Sequence, residues 1–235
     1  MKKVSTLFLV LLFITAVNAQ GANETPEAPS YTAGGVPIVI PAPTEEMREV
    51  GPDIREYLEL LIVAKGNRLL ASFVSEDDLE RLTRRDENLL LTKYASVQVP
   101  RRGEDTNVSE YMFEQIVELA SVRIKEMMVS SLEEAAEELN RRMEAMNIDD
   151  LKTSFGQPIH LGRLFSSDRA FGYGTIIPVS VGNRTTNRCV GATLLLVKQR
   201  MLFVYLYTDY QNEESVNWIR SVGEKWVNAI IAANR

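Results

Sequence analysis

The sequence predicts an α+β fold with a mainly antiparallel central sheet flanked by amphipathic helices. Four apolar runs between residues 157 and 208, joined by short polar connections, indicate a C-terminal four-strand meander. Residues 212–234 then place apolar side chains at helical spacing, and a long helical pattern precedes the meander. Strands that follow one another directly, with the helices before and after them, are typical of this class.

The first 19 residues are typical of a secretory signal peptide. Lys2 and Lys3 form a positive segment, residues 7–17 form an apolar segment, and Ala19 ends a small-residue cleavage site. The apolar segment is shorter than the roughly 20 residues that a stable membrane span needs. We therefore expect a periplasmic or secreted protein with no stable membrane insertion after cleavage.

Proline content divides the remaining chain. Residues 20–51 hold most of the prolines and little helical periodicity, so they predict a flexible leader, with residues 36–40 as one extended piece that can add an edge strand. Residues 52–235 are predicted to form a single α+β domain. Removing two lysines with the signal changes the net charge from −6 to −8, and an acidic chain does not suggest nucleic-acid binding.

The first half of the domain alternates helices and strands. Pro52 opens a helical pattern that Gly66 ends, and residues 68–74 predict a buried strand. Ser75 then begins a short polar helix through Arg84. The next strand ends at residue 99, and its alternation predicts one face that meets water, formed by Tyr94, Ser96 and Gln98.

A long helical region runs from Ser109 to about Met146. Its apolar stripe includes Phe113, Ile116 and Val117, and the pair Ser130-Ser131 offers a point where a second helix can restart. Its methionines fit ordinary core packing better than an adaptable groove or a thioether metal site.

Residues 188–210 carry apolar side chains on both faces of two successive strands. We expect this pair to lie at the centre of the sheet, covered on both sides by helices. The face that contains Tyr205 and Tyr207 has an alternative role as a surface open to a partner or to a small apolar ligand.

Recognisable catalytic motifs are absent from the sequence. His160 is the sole histidine, so a multi-histidine metal site is excluded, and we expect no metal, cofactor or catalytic residue. Cys189 is the sole cysteine and excludes an internal disulfide. We expect Cys189 to be a buried core side chain, with a reactive thiol or a bridge between chains as alternatives. A dyad of Cys189 with His160 is disfavoured, because the meander places a strand between them.

Two pairs of segments carry a resemblance to known proteins. LLLVKQRMLFVYLYTDY followed by VNWIRSVGEKWVNAIIAAN resembles the strand–strand–helix ending of exported PsbP-like α+β proteins. NRLLASFVSEDDLERL and YASVQVPRR are similar to segments of uncharacterised bacterial exported proteins. The resemblance covers the layout of residues 66–233 and assigns no residue a role. It implies an antiparallel sheet between helices, in a family whose members more often assist or stabilise assemblies than catalyse.

These observations lead to one functional prediction and two alternatives. The prediction is an exported, non-enzymatic accessory protein that acts through protein–protein contacts in the cell envelope or outside the cell. The first alternative is a small-molecule or lipid-binding module with a pocket beside the Tyr-rich strand, and the second is an unrecognised hydrolase. Exposed aromatic side chains anchor interfaces, so the candidate partner-binding residues are Tyr205, Tyr207, Tyr210 and Trp218.

Overall fold

A computed structural model describes residues 29–64, 66–84, 91–145 and 152–235. These ranges contain ten strands and four helices. The strands are β1 (Ser30–Ala33), β2 (Val36–Val39), β3 (Met47–Glu49), β4 (Asn67–Ser75), β5 (Lys93–Pro100), β6 (Thr153–Phe155), β7 (Ile159–Ser167), β8 (Ala170–Val181), β9 (Arg184–Val197) and β10 (Arg200–Asp209). The helices are α1 (Pro52–Ile62), α2 (Glu76–Thr83), α3 (Glu110–Ala145) and α4 (Glu213–Ala233).

Eight strands form one antiparallel sheet in the order β3-β4-β5-β10-β9-β8-β6, and β7 also pairs with β8. The predicted meander is confirmed, since β7, β8, β9 and β10 pair in succession. β9 and β10 lie in the middle of the sheet, as their two apolar faces predict. The predicted α+β class with an antiparallel central sheet is therefore confirmed. None of the described helices is long and apolar enough to cross a membrane.

Helix α4 covers one face of the sheet, where most of the core lies. Ile219, Trp226 and Ile230 of α4 are fully buried against β-strand residues that include Leu202 and Leu206. The close approach depends on small residues in the strands beneath. A Cβ atom on Gly191 would lie 2.7 Å from Ile219 Cγ2, and one on Gly172 would lie 2.6 Å from the Phe165 ring. The absence of a side chain at Gly191 thus makes room for α4, and its absence at Gly172 makes room for the Phe165 ring of β7.

The predicted flexible leader is wrong for its described part. β1 and β2 form a hairpin, and Ala33, Ile38 and Ile40 beside it are fully buried in the main core. β3 then joins the sheet through β4. The fold therefore begins by Ser30 rather than Pro52, and residues 20–28 lie outside the described ranges. Prolines in this segment occupy short strands and turns, which composition alone does not distinguish from a linker.

Helix α2 has the predicted position, whereas α1 begins as predicted but ends at Ile62, before the predicted stop at Gly66. Pro52 opens α1, and the Ser75 side chain caps α2 by accepting from the Asp78 N–H at 3.2 Å. The Asp78 carboxylate, fully buried, accepts from the backbone N–H groups of Thr92 at 2.7 Å and Lys93 at 3.0 Å. This carboxylate therefore fastens α2 to the start of β5 and is a structural group.

The predicted water-facing side of β5 is wrong. Ser96 and Gln98 are buried, and they form a polar layer inside the protein. Gln98 Nε2 donates to Ser96 Oγ at 3.2 Å, and Asn67 Nδ2 donates to Gln98 Oε1 at 3.0 Å. Because these groups satisfy one another, alternating polar residues are compatible with burial here.

Candidate functional site

Two of the predicted partner-binding residues, Tyr205 and Tyr207, lie together on the face of β10 opposite α4. Antiparallel pairing sets Tyr207 beside Tyr94 of β5, and their rings stack with centroids 4.1 Å apart. Tyr205 continues the row, with its ring centroid 6.1 Å from that of Tyr207. The three rings form a continuous aromatic layer, which we call the tyrosine layer.

Burial raises the pKa values of the three phenols in the tyrosine layer. It raises the pKa of both Tyr94 and Tyr205 to about 12, and it raises the pKa of Tyr207 well above the ordinary value of 10. The ion pair of Arg188 with Asp209, at 2.6 Å, lies beside Tyr94, where Arg188 partly offsets this increase in the Tyr94 pKa. The phenols are therefore neutral at physiological pH, and the three side chains are partly buried, with some of their surface still exposed.

The other two predicted residues, Tyr210 and Trp218, pack partly buried against the core on the α4 side. The Lys93 ammonium lies 5.3 Å from the centroid of the Trp218 ring, within range of a cation–π contact. The four predicted residues are therefore divided between opposite faces of the sheet. Trp218 contacts both the core and Lys93 and keeps part of its surface exposed.

The structure separates the two residues of the disfavoured dyad. His160 lies on β7 and Cys189 on β9, with β8 between them and their side chains on opposite faces. Burial raises the pKa of the Cys189 thiol to about 11, which makes it a poor nucleophile. Within the described residues no group of three or more His, Cys, Asp or Glu side chains is arranged to hold a metal ion.

A shallow recess of about 730 Å³ lies between the start of α3, the β7–β8 turn and the end of α4. Its lining is mainly charged or polar and includes Glu110, Arg169 and Arg235 but neither Tyr205 nor Tyr207. Arg169 Nη2 and Glu110 Oε1 are 2.7 Å apart, so two of these charges already neutralise each other. We find no convergent set of polar groups there that would orient a ligand.

The first turn of α3 is fixed to the β9–β10 hairpin. Ser109 caps the helix by accepting from the Met112 N–H at 3.2 Å. Val108 and Phe113, on either side of the cap, are buried in one apolar cluster with Leu196 of β9. This is the hydrophobic-staple arrangement, and it sets the direction in which the helix leaves the sheet.

The last turns of α3 are fixed to β6. The Asn140 side chain accepts from the Thr153 N–H at 2.7 Å and donates to the Thr153 carbonyl oxygen at 2.8 Å. The helix is continuous over 36 residues, so no second helix starts at Ser130-Ser131, where the sequence allowed one. At 1.5 Å per residue such a helix is about 54 Å long.

Between these anchors, α3 presents large apolar side chains to solvent. Val122 is 78% exposed, Leu119 58%, and Met112 and Val129 44% each. These four residues and the exposed Gln115 and Glu126 recur at alternating intervals of three and four, which places them on one side of the helix. We call these six residues the outer stripe; Tyr111, 70% exposed, lies beside it.

Sequence reasoning did not identify the outer stripe. It assigned the inner stripe, and Phe113, Ile116 and Val117 of that stripe do pack against the sheet. The sequence does contain the stripe: residues 112–129 include a second set of positions at intervals of three and four, and four of these positions are apolar. A helix with apolar residues on two sides either has elements packed on both or leaves one side for another molecule.

Comparisons with known proteins concern the fold alone. Among solved structures, the chain is similar to cyanobacterial PsbP (CyanoP) from Synechocystis sp. PCC 6803, determined in solution. The two chains are 10% identical, and the match covers 92% of this chain and 96% of that chain with a TM-score of 0.32. That protein belongs to the PsbP-like class whose strand–strand–helix ending the sequence resembles. No protein-family model and no curated protein matches the chain.

Proposed function

We propose that this protein is an exported, non-enzymatic accessory protein that acts through protein–protein contacts made by the outer stripe of α3. The observation that carries the proposal is the exposure of Met112, Leu119, Val122 and Val129 along one side of a helix held at both ends. Single exposed apolar residues are ordinary, whereas four of them on one side of one helix mark an interaction surface.

The shape of the stripe restricts the partner. The row is one side chain wide, and its alternating spacing is that of a helix that packs knobs into the holes of another helix. Glu126 interrupts it with a charge, which an apolar ligand would leave without a partner. The surface that fits is therefore a protein helix with matching apolar positions. The small-molecule alternative beside Tyr205 and Tyr207 and the hydrolase alternative stay predictions.

Export is supported by the sequence pattern of residues 1–19. Intact mass and N-terminal sequencing of the protein from its own cells test it. A chain that starts at Gln20 in the extracytoplasmic fraction is expected, and an uncleaved chain in the cytoplasm would contradict export.

Photo-crosslinking in the source cells tests the contact. A photoreactive side chain replaces Leu119 in one variant and Ser121 in a matched control, since Ser121 is exposed but lies on another side of α3. We expect a discrete protein adduct from position 119 and little from position 121. Equal labelling at the two positions, or none at 119, would contradict the proposal.

A further inference from the structure

The outer stripe has the same order of apolar and polar positions in both chain directions. Its residues in order are Met112, Gln115, Leu119, Val122, Glu126 and Val129. Apolar, polar and apolar positions in the first half are followed by apolar, polar and apolar positions in the second. The midpoint lies between Leu119 and Val122, and the intervals on its two sides are equal. A two-fold interface requires this self-complementarity, because residue i meets j while j meets i.

We propose that the partner of the outer stripe is a second copy of this chain, with the two α3 helices packed antiparallel about a two-fold axis between Leu119 and Val122. This deepens, and rests on, the proposed function. The pairing makes three kinds of layer, each occurring twice. Leu119 meets the second copy's Val122, Gln115 meets its Glu126, and Met112 meets its Val129. Apolar residues therefore meet apolar ones, and each Glu126 carboxylate meets an amide donor.

Charge selects the antiparallel direction. A parallel pair in register would set Glu126 directly against Glu126 of the second copy, and like charges in one layer destabilise a helix pair. In the antiparallel pair, Lys125 lies on the same flank as Glu118 of the second copy, within about one helical turn along the axis. Both side chains flank the stripe, where opposite charges stabilise coiled-coil pairs.

The size of the contact indicates a weak dimer. Residues 112–129 span about 26 Å of helix, and two such stretches bury on the order of 1,000 Å², at the low end for specific interfaces. A dissociation constant on the order of micromolar is expected. Sedimentation equilibrium across this concentration range should show a monomer–dimer equilibrium.

Cysteine pairing tests the register. Met112→Cys and Val129→Cys proteins are prepared separately, mixed and oxidised; Cys189 is fully buried and stays unreactive. The antiparallel pair brings position 112 of one copy to position 129 of the other, so the mixture should form a disulfide-linked dimer. Each protein alone should remain unlinked, because its two cysteines would lie about 26 Å apart. Linkage of Met112→Cys protein to itself, or none in the mixture, would overturn the register.

Charge substitutions test the layers without removing a core residue. Gln115→Glu opposes two carboxylates and should weaken dimerisation at least tenfold, while the double variant Gln115→Glu/Glu126→Lys should restore it. Ser121→Glu, an exposed control off the stripe, should leave it unchanged. A single variant that dimerises like the parent protein would overturn the proposed layer.

The sedimentation and photo-crosslinking experiments distinguish two failures. If the chain stays monomeric well above micromolar concentration and position 119 still links to a different protein, the second copy is the wrong partner and the proposed function stands. If the monomer instead binds lipid vesicles through α3, both proposals are overturned. Absence of dimer and of adducts overturns both as well.

Discussion

Asn234 pairs its side-chain amide with the backbone of Val39, which is 195 residues earlier in the chain. Oδ1 accepts from the Val39 N–H at 2.9 Å, and Nδ2 donates to the Val39 carbonyl oxygen at 2.7 Å. The amide thus takes the place of a neighbouring strand at the edge of β2. With the Trp226 indole N–H, which donates to the Pro41 carbonyl oxygen at 2.7 Å, it clamps the β1–β2 hairpin to α4.

Replacing Asn234 with Ala should destabilise the fold by about 2–3 kcal/mol, because two backbone groups of Val39 lose their partners in a partly buried site. In a chain of this size, this corresponds to a melting temperature about 4–12 °C lower. Asn234→Asp keeps one acceptor but sets a carboxylate oxygen against the carbonyl oxygens of Val39 and Ile230, to which Nδ2 donates at 2.7 and 2.8 Å, so a loss at least as large is expected. Thermal unfolding followed by circular dichroism measures both, and an unchanged Asn234→Ala midpoint would show that the clamp contributes little.

Gly34 and Gly35 form a matched pair at the tip of the same hairpin. Both have positive φ, +51° and +76°, but a Cβ atom on Gly34 would overlap the Glu104 backbone, whereas one on Gly35 would meet nothing within 4 Å. Gly34→Ala therefore incurs a clash as well as backbone strain, and Gly35→Ala only the strain, about 1 kcal/mol.

Urea denaturation of the two alanine variants measures the difference. We expect Gly34→Ala to lower the free energy of unfolding by at least 1 kcal/mol more than Gly35→Ala does. Equal losses would mean that the loop holding Glu104 moves aside without cost.

The sequence predicted the parts of the fold that depend on local patterns. Alternating apolar residues were sufficient to place β9 and β10 at the centre, since both their faces need cover. Ser75 predicted the start of α2 because a cap involves only neighbouring residues. The β1–β2 hairpin was missed, because its contacts with Trp226 and Asn234 cross most of the chain and leave no periodic signal.

The burial of the polar side of β5 and the outer stripe of α3 were missed for a related reason. Alternation reports which way a side chain points but not what lies above it, so the polar side of β5 was assigned to water although Ser96 and Gln98 are buried. For α3, the inner stripe already accounted for a helix packed on the sheet, so the second set of positions at the same spacing was not interpreted. The exposures of Leu119 and Val122 show that this set faces solvent. The tyrosines of β10 are conspicuous in the sequence, and in the structure they stack with Tyr94 while part of their surface stays exposed.

Glu104 makes part of the stability depend on pH. Hydrogen bonds from Arg68 lower the pKa of the Glu104 carboxyl below its ordinary value of 4.5, and the Gly34 N–H, at 2.9 Å, adds to the effect. A carboxyl whose pKa is lower in the folded state stabilises the fold above its unfolded pKa and loses this contribution as pH falls through the folded pKa.

Glu104→Gln isolates this contribution. We expect the variant to be less stable than the parent at pH 7 and the difference to shrink steadily below pH 4.5, as measured by urea denaturation over a pH series. Asp105→Asn, at the exposed neighbouring position, is the control for the loss of one negative charge. A stability difference for Glu104→Gln that persists undiminished at low pH would contradict the role of ionised Glu104.

The turn between β9 and β10 keeps two ordinary residues in the left-handed region. Lys198 and Gln199 have φ of 46° and 62°, and they form the two-residue connection that joins Val197 to Arg200. Such turns favour Asn followed by Gly, because most residues with a Cβ pay about 1 kcal/mol for this conformation. The strain is compatible with the fold because the Gln199 carbonyl oxygen accepts from the Val108 N–H at 3.0 Å and fixes the approach to α3.

Gln199→Gly keeps that carbonyl and relieves the strain, so it should raise the free energy of unfolding by about 0.5–1 kcal/mol. Lys198 is retained in this variant because its ammonium donates to the Pro37 carbonyl oxygen at 3.0 Å. Urea denaturation measures the change, and a Gln199→Gly protein less stable than its parent would show that glycine's freedom in the unfolded chain outweighs the relief of strain.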